Sequence, residues 1–171
     1  MTTRTTRIIL LAAFALAGSL AALAQLPCGV ANQIYCQSWD GSATLYASQN
    51  DTNSFGNFAT VYDNFNLSQT FDVESFHWIG GYFNPPAQGP ITAWTLTFYN
   101  DNNSSPGAPI ATGFFPGNGN ETFIGNVNGF PIYVYSLYFN SFDMAPGAYW
   151  ASVVPDLAFP RSGAGRQVRI T

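Results

Sequence analysis

The sequence predicts an all-β, largely antiparallel domain, and three observations carry that prediction. Short apolar runs separated by Gly, Pro, Asn and Asp recur about every 10 to 15 residues, a spacing typical of a sandwich or barrel. No segment after residue 24 keeps a period near 3.6. Aromatic residues make up 16% of the 171 residues and charged residues only 8%, a composition that buries one core and is unlike that of disordered chains.

The first 24 residues predict a secretory signal peptide. Two arginines precede an almost wholly apolar stretch at 8–23, and Ala22 and Ala24 are the small residues that signal peptidase requires. Cleavage is expected between Ala24 and Gln25, after Sec-type export. The alternative is an uncleaved anchor, but a run of about 16 residues is shorter than the 20 or so that span a bilayer. The mature protein is therefore expected to be secreted or at the cell surface, without a membrane span.

The segment 25–43 predicts a small disulfide loop at the start of the mature chain. Cys28 and Cys36 are the only cysteines, and two thiols so close in an oxidising compartment are expected to pair. Their C-x7-C spacing, with no second pair of ligands nearby, is a poor metal signature.

The β-sandwich domain is predicted over 44–160. In "FDVESFHWIGGYF" the apolar positions change phase between Val73 and Phe76, which predicts a β-bulge around Glu74 and Ser75.

The next strand, "ITAWTLTFY", alternates regularly. Trp94, Leu96 and Phe98 share one face, while two threonines and a tyrosine share the other. The apolar face is expected to be buried and to pack against Phe76, Trp78 and residues of "YVYSLYF".

A hairpin and a further strand complete the pattern. Asn128 and Gly129 both tolerate positive φ, so they predict a two-residue type I′ turn. The following "FPIYVYSLYFN" is apolar on both faces, which predicts a central strand covered on both sides. Pro146 and Gly147 predict a turn before "AYWASVV".

The last eleven residues, 161–171, differ from the rest. Aromatic residues cease and the first positive charges of the mature chain occur here. Two interpretations stay open: a shift of reading frame or truncated gene, and a genuine basic, disordered tail. Truncation predicts an unpaired sheet edge beside "AYWASVV", which would favour aggregation.

Charge excludes some partners. From Gln25 to Pro160 there is no Lys or Arg, whereas all nine acidic residues lie there. Such a surface repels phosphate backbones, which excludes nucleic acid, and it disfavours anionic membranes.

Four stretches in this order resemble an uncharacterised module of bacterial secreted and cell-surface proteins, many of which end in PEP-CTERM or type IX sorting signals. They are "VYDNFNLSQTFDVESFHWIGGYF", "ITAWTLTFYNDNNSSPGAPIATGFF", "GFPIYVYSLYF" and "MAPGAYWASVV", within about residues 60–154. The resemblance implies a jelly-roll-like β-sandwich on an exported protein and supplies no catalytic residues. The chain departs from the module at Ser104 or Ser105, where glycine is usual, and it lacks the module's last aromatic strand and sorting tail.

The acidic loop "FYNDNNSSPGAPIA" raises the question of calcium. Asp101, Asn103 and Ser105 alternate as oxygen ligands would, which makes Asp101 and Asn103 weak calcium candidates. However, Pro106 and Thr112 stand where an EF-hand needs Gly and a bidentate Glu. We therefore predict a turn, for which these residue types are suited.

One carboxylate pair invites a catalytic hypothesis. Asp72 and Glu74 lie two apart on a strand, a spacing compatible with glycosidase carboxyls, but the predicted bulge disturbs it and such pairs commonly face solvent. His77 is the only histidine, and no G-x-S-x-G motif accompanies it. We expect His77 to face water or to cap a hydrogen bond of the core.

Aromatic side chains provide the ligand-binding hypothesis. Exposed rings stack on the C–H faces of sugars while amides bind the hydroxyls. Trp78 and Trp94 lie on apolar stripes and are expected in the core. Tyr35, Trp39 and Trp150 are the stacking candidates.

Together these features predict an exported, non-enzymatic module with a structural or adhesive role at the cell surface or in the extracellular matrix. No catalytic residue and no cofactor is assigned. The alternative is a carbohydrate-binding module with a structural calcium ion, its partner an extracellular polysaccharide or another cell-surface component. A glycoside hydrolase using Asp72 and Glu74 is the remote alternative.

Overall fold

In the computed structural model of the chain, the residues described are 28, 32–39, 41, 46–52, 58–82, 90–157 and 167–169. The predicted signal peptide and most of the basic tail lie outside them. The described residues form eleven strands: β1 (Tyr46–Ala47), β2 (Gln49–Asp51), β3 (Phe58–Ala59), β4 (Tyr62–Leu67), β5 (Phe71–Gly81), β6 (Ile91–Asp101), β7 (Pro106–Pro116), β8 (Thr122–Val127), β9 (Phe130–Met144), β10 (Gly147–Leu157) and β11 (Gln167–Arg169).

The strands form two sheets packed against each other, so the predicted all-β sandwich is confirmed. Sheet A has the order β1-β11-β5-β9-β8, and sheet B has the order β3-β2-β10-β6-β7 with β4 also beside β10. Every strand pair is antiparallel except β10 with β2. None of the described residues forms a helix with the length and apolarity needed to cross a membrane.

The strand that contains "AYWASVV", β10, lies inside sheet B and has neighbours on both sides. β6 pairs with it on one side. On the other side β4 pairs with Gly147–Ser152, and β2 pairs with Asp156 and Leu157. The unpaired edge that the truncation interpretation predicts beside this strand is therefore wrong, because strands from far upstream in the sequence pair with both ends of β10 on that side.

The space between the sheets is filled mainly by aromatic rings. Trp94, Leu96 and Phe98 are all at most 3% exposed, as predicted for one face of β6. The ring of Trp94 meets that of Trp78 edge-on at 4.6 Å, and Phe98 meets Phe76 at 5.8 Å. Perpendicular ring pairs at these distances add to the free energy gained from burying the rings alone. The predicted packing of β6 on β5 is confirmed.

A second, smaller core lies on the outer face of sheet A. Trp39, Ile79 and Ile132 are buried there together. At this end β9 is covered on both sides, as predicted. At its other end the prediction is wrong, because Tyr138 points outward and is 66% exposed. The side chain of Trp39 reaches only one end of the sheet, so only that end is covered.

The hairpin between β8 and β9 turns at the predicted place. Asn128 has φ 51° and Gly129 has φ 84°, and Val127 pairs with Phe130 across the turn. Two successive residues with positive φ define the type I′ turn, whose twist suits the flanking strands. The prediction is confirmed.

The predicted irregularity in β5 is also present. Its pairing with β9 shifts register between Val73 and Ser75, where β9 residues 139–141 stand opposite the single Glu74. The position is confirmed, and the surplus residues belong to β9. Val73 and Phe76 both pack in the core although three positions separate them, so the alternation of β5 changes phase at this irregularity.

Candidate functional site

A cleft of about 700 Å³ opens between the two sheets where β4 and β5 run along its sides. Its apolar lining includes Phe65, Leu67, Val73, Phe76, Phe98 and Met144. Its polar lining includes Asn32, Gln33, Asp63, Asn64, Asp72, Glu74 and His77. The cleft therefore combines an apolar floor with a rim that is rich in carboxylates and amides.

The two carboxylates of the glycosidase hypothesis lie at the rim of this cleft. Asp72 and Glu74 are both exposed, and the register shift falls between Val73 and Ser75, beside them. Asp72 pairs directly with Asp143 of β9. Two like charges opposite one another on a sheet repel, which is typical of a solvated surface rather than of a preorganised catalytic pair.

His77 also lines the cleft, and serine hydroxyls occupy both of its ring nitrogens. Nδ1 lies 2.9 Å from Ser136 Oγ, and Nε2 lies 3.2 Å from Ser75 Oγ. Burial lowers the pKa of His77 below its usual value. In a catalytic triad a carboxylate would hold the ring nitrogen that Ser136 takes here. The arrangement fits the prediction that His77 caps hydrogen bonds.

The disulfide segment forms one wall of the cleft. Cys28 and Cys36 are bonded, with their Cα atoms 5.6 Å apart, as predicted. Within this segment Tyr35 is 43% exposed, and its hydroxyl donates to the backbone oxygen of Asn64 over 3.4 Å. Burial, and then the charge of Asp63, raise the pKa of Tyr35 above its usual 10. Tyr35 is thus a stacking candidate that the structure places at the cleft.

The other two stacking candidates lie elsewhere. Trp39 is 3% exposed within the core on the outer face of sheet A, so its ring offers no face to a ligand. Trp150 is half-buried on the outer face of sheet B, where it lies directly opposite Tyr99. The three candidates therefore do not form one site.

Trp150 belongs to a group of rings that we name the aromatic platform, consisting of Tyr62, Tyr99, Phe114 and Trp150. Phe98 points into the core, so its neighbours Thr97 and Tyr99 point outward. Pairing across the sheet places the other rings on this face. Tyr62 pairs with Ser152, Ser152 with Thr97, Trp150 with Tyr99, and Phe114 with Thr95.

A hydrogen bond and a ring contact hold the tyrosines of the platform. The Tyr99 hydroxyl lies 3.2 Å from Ser152 Oγ, and its ring meets that of Tyr62 at 5.5 Å. Burial, and then the neighbouring Tyr99, raise the pKa of the Tyr62 hydroxyl. Thr112 of β7 donates to Thr97 of β6 over 3.3 Å. The platform is therefore fixed by the sheet beneath it.

Asp101, the first calcium candidate, anchors the tryptophan of the platform. Its Oδ1 accepts the indole N–H of Trp150 over 2.8 Å, and its Oδ2 accepts the backbone N–H of Ser104 over 3.2 Å. Both carboxylate oxygens thus accept hydrogen bonds from donors of the protein itself. Among the described residues, no group of three or more His, Cys, Asp or Glu side chains is close enough to hold a metal ion.

The acidic loop itself is the turn that the sequence predicts, joining β6 to β7. The backbone N–H of Asn102 donates to the carbonyl of Ser105 over 2.8 Å. Asn103 and Ser104 adopt positive φ of 52° and 63° between them. Asn103, the second calcium candidate, is exposed in this turn. Ser104 occupies the left-handed conformation that glycine adopts without strain.

One carboxylate was not singled out by sequence reasoning. Oε2 of Glu121 accepts the hydroxyls of Tyr82 and Tyr135, at 2.9 and 2.8 Å. This contact joins the start of β8 to the buried face of β9 and to the end of β5. Glu121 lies 39 residues from Tyr82 in the sequence, and no local motif connects them.

Comparison with protein-family models, curated protein sequences and solved structures found no match for this chain.

Proposed function

We propose that this chain is an exported, non-enzymatic module that binds neutral polysaccharide at the cell surface or in the extracellular matrix. The observation that carries the proposal is the aromatic platform: Tyr62, Tyr99, Phe114 and Trp150 share the outer face of sheet B. The proposal joins the adhesive role expected from the sequence with its carbohydrate-binding alternative.

The chemistry of the platform suits sugar rings. Aromatic faces stack on the C–H face of a pyranose, and neighbouring neutral groups bind its hydroxyls. Here Asn64 pairs with Trp150 across the sheet, so an amide lies beside the indole. The hydrogen bonds of Tyr99 and Trp150 fix both rings before a ligand arrives. A fixed ring loses little conformational entropy on binding, which favours affinity.

Charge favours a neutral ligand. The nine acidic residues, with no Lys or Arg between Gln25 and Pro160, would repel uronic acids and sulfated sugars. Export is supported by the predicted signal peptide and by the bonded pair Cys28–Cys36, since disulfides persist in oxidising compartments.

Affinity electrophoresis in gels containing xylan, glucomannan, mixed-linkage β-glucan or polygalacturonate tests the proposal. We expect retention by at least one neutral polymer and none by polygalacturonate. Trp150→Ala should weaken binding at least about tenfold, because truncating a central aromatic contact commonly costs more than about 1.4 kcal/mol. Tyr138→Ala is the matched control, since Tyr138 is 66% exposed on the opposite sheet.

Equal loss of retention in both variants would show that the platform is not the site. No retention by any neutral polymer, with the protein folded by circular dichroism, would count against carbohydrate binding as a whole. The exported part of the proposal is tested separately, by mass spectrometry of the mature protein, whose first residue should be Gln25.

A further inference from the structure

We propose that the open edge of β5 binds an extended peptide strand that carries apolar and basic side chains in alternation. This inference concerns the cleft and does not depend on the aromatic platform. It rests on three observations: β5 is incompletely paired, a cavity lies beside its open edge, and the rim of that cavity carries carboxylates.

The first observation is the pairing of β5. On one side β9 pairs with it from Phe71 to Gly81. On the other side β11 pairs only with Ile79, Gly80 and Gly81. Over Phe71–Trp78, therefore, no described strand occupies that side. Every second residue of a strand directs its N–H and C=O to the same side, so this edge presents a row of backbone donors and acceptors.

The second observation is the space next to this edge. β4 pairs with β10 on one side and with no described strand on the other. Residues of β4 and β5 line the same cleft of about 700 Å³, whose floor includes Phe65, Val73 and Phe76. A peptide strand beside β5 would direct alternate side chains toward this apolar floor, which is how strand addition obtains its specificity.

The third observation is charge. Asp63, Asp72 and Glu74 line the cleft, and no Lys or Arg occurs anywhere between Gln25 and Pro160. The charged side chains among the described residues that line the cleft, apart from His77, are therefore all carboxylates. Side chains that point away from the floor are best matched by Lys or Arg, which both attracts the partner and excludes acidic segments.

The direction of the added strand follows from β11. That strand runs antiparallel to β5 and pairs Arg169 with Ile79. A peptide that takes the same side of β5 continues this row toward Trp78 and Phe71.

Isothermal titration with synthetic peptides tests the proposal on the full mature protein. The probe is an eight-residue peptide that alternates lysine and valine. We expect it to bind, and we expect its counterpart with alternate backbone nitrogens methylated on the pairing edge to bind at least tenfold more weakly. A glutamate–valine peptide should not bind. Hydrogen exchange should show slower amide exchange within Phe71–Trp78 when the lysine peptide is present.

Protein variants test the charge. Glu74→Gln should weaken binding of the lysine peptide up to about fivefold at low salt, the range for an exposed charge pair. Asp143→Asn removes the same charge from an exposed position of β9 that does not line the cleft, and should weaken binding less. Equal binding by the methylated peptide would overturn strand addition. So would a dimer in sedimentation whose Phe71–Trp78 amides are already protected without peptide, because a second copy would then occupy the edge.

Discussion

The indole N–H of Trp150 donates to Oδ1 of Asp101 over 2.8 Å, joining the aromatic platform to the turn between β6 and β7. The same carboxylate accepts the backbone N–H of Ser104 through Oδ2. A loop that looks like the beginning of a cation site is therefore a support for an aromatic ring.

Removing this support should affect stability and binding together. Asp101→Ala deletes both hydrogen bonds, and we expect the free energy of unfolding to fall by about 1–2 kcal/mol. Polysaccharide binding should weaken because the Trp150 ring gains freedom. Asp101→Asn keeps Oδ1 as an acceptor and should lose less of both. Urea denaturation and affinity electrophoresis measure the two effects; a larger loss in Asp101→Asn than in Asp101→Ala would contradict the assignment.

Ser104 holds a left-handed conformation that costs a side chain about 1–2 kcal/mol. Ser104→Gly removes that strain but raises the entropy of the unfolded chain, so we expect a net gain of about 0.5–1 kcal/mol. Ser105→Gly is the matched control. Ser105 is not among the residues with positive φ, and its substitution should lower stability. Thermal unfolding of both variants gives the comparison, and a loss in both would show that the turn is not strained.

Two glycines after β7 separate backbone strain from steric clash. Gly117 and Gly119 both have positive φ, but a Cβ at Gly117 meets nothing within 4 Å. A Cβ at Gly119 would lie 2.7 Å from Nε1 of the fully buried Trp94. We expect Gly117→Ala to cost about 1–2 kcal/mol from strain. Gly119→Ala should cost at least about 1 kcal/mol more from overpacking. Equal denaturation midpoints would refute the close contact with Trp94.

The environment of His77 predicts a pH dependence of stability. Burial lowers the pKa of His77 in the folded protein, whereas the unfolded chain keeps the usual value of about 6.5. The unfolded chain therefore takes up its proton first. The contribution of His77 to stability is complete above pH 6.5 and is lost as the pH falls through the lower, folded pKa. Denaturation between pH 7.5 and 5.5 should show a shallower decline in His77→Gln than in the parent protein.

Reduction of the disulfide should leave the sandwich folded. Cys28 and Cys36 close a short loop, so the bond stabilises by about 2–3 kcal/mol at most. The Trp78–Trp94 pair is fully buried, so its near-ultraviolet circular dichroism should persist in reductant. The Cys28→Ser, Cys36→Ser double variant should behave as the reduced protein does. Complete loss of the tryptophan signal would show that the disulfide loop is essential to the core.

Local patterns predicted much of the fold. The alternation around Trp94, the positive φ of Asn128 and Gly129, and the irregularity near Glu74 each depend on residues close in sequence. Strand periodicity and turn preferences arise from the chain's own geometry, so a single sequence contains them.

Features built from distant segments were not predictable in this way. Asp101 and Trp150 are 49 residues apart, and Trp39 is buried because sheet A offers it an apolar outer face. The pairing of β4 and β2 with β10 likewise depends on which strands meet in space. Alternation shows that a strand has two faces, but not which neighbour covers each one or where an edge stays open.

The pleat of β4 has a consequence for the energetic coupling between the aromatic platform and the cleft. Successive residues of this strand alternate, so Tyr62 belongs to the platform and Asn64 pairs with Trp150, while Asp63 and Phe65 line the cleft. Among the described strands β4 is hydrogen-bonded to β10 alone, so one side of this shared wall has no strand partner. A ligand that orders β4 from one face therefore removes freedom that a second ligand would otherwise have to remove from the other. By thermodynamic linkage, glycan and peptide would each favour the binding of the other.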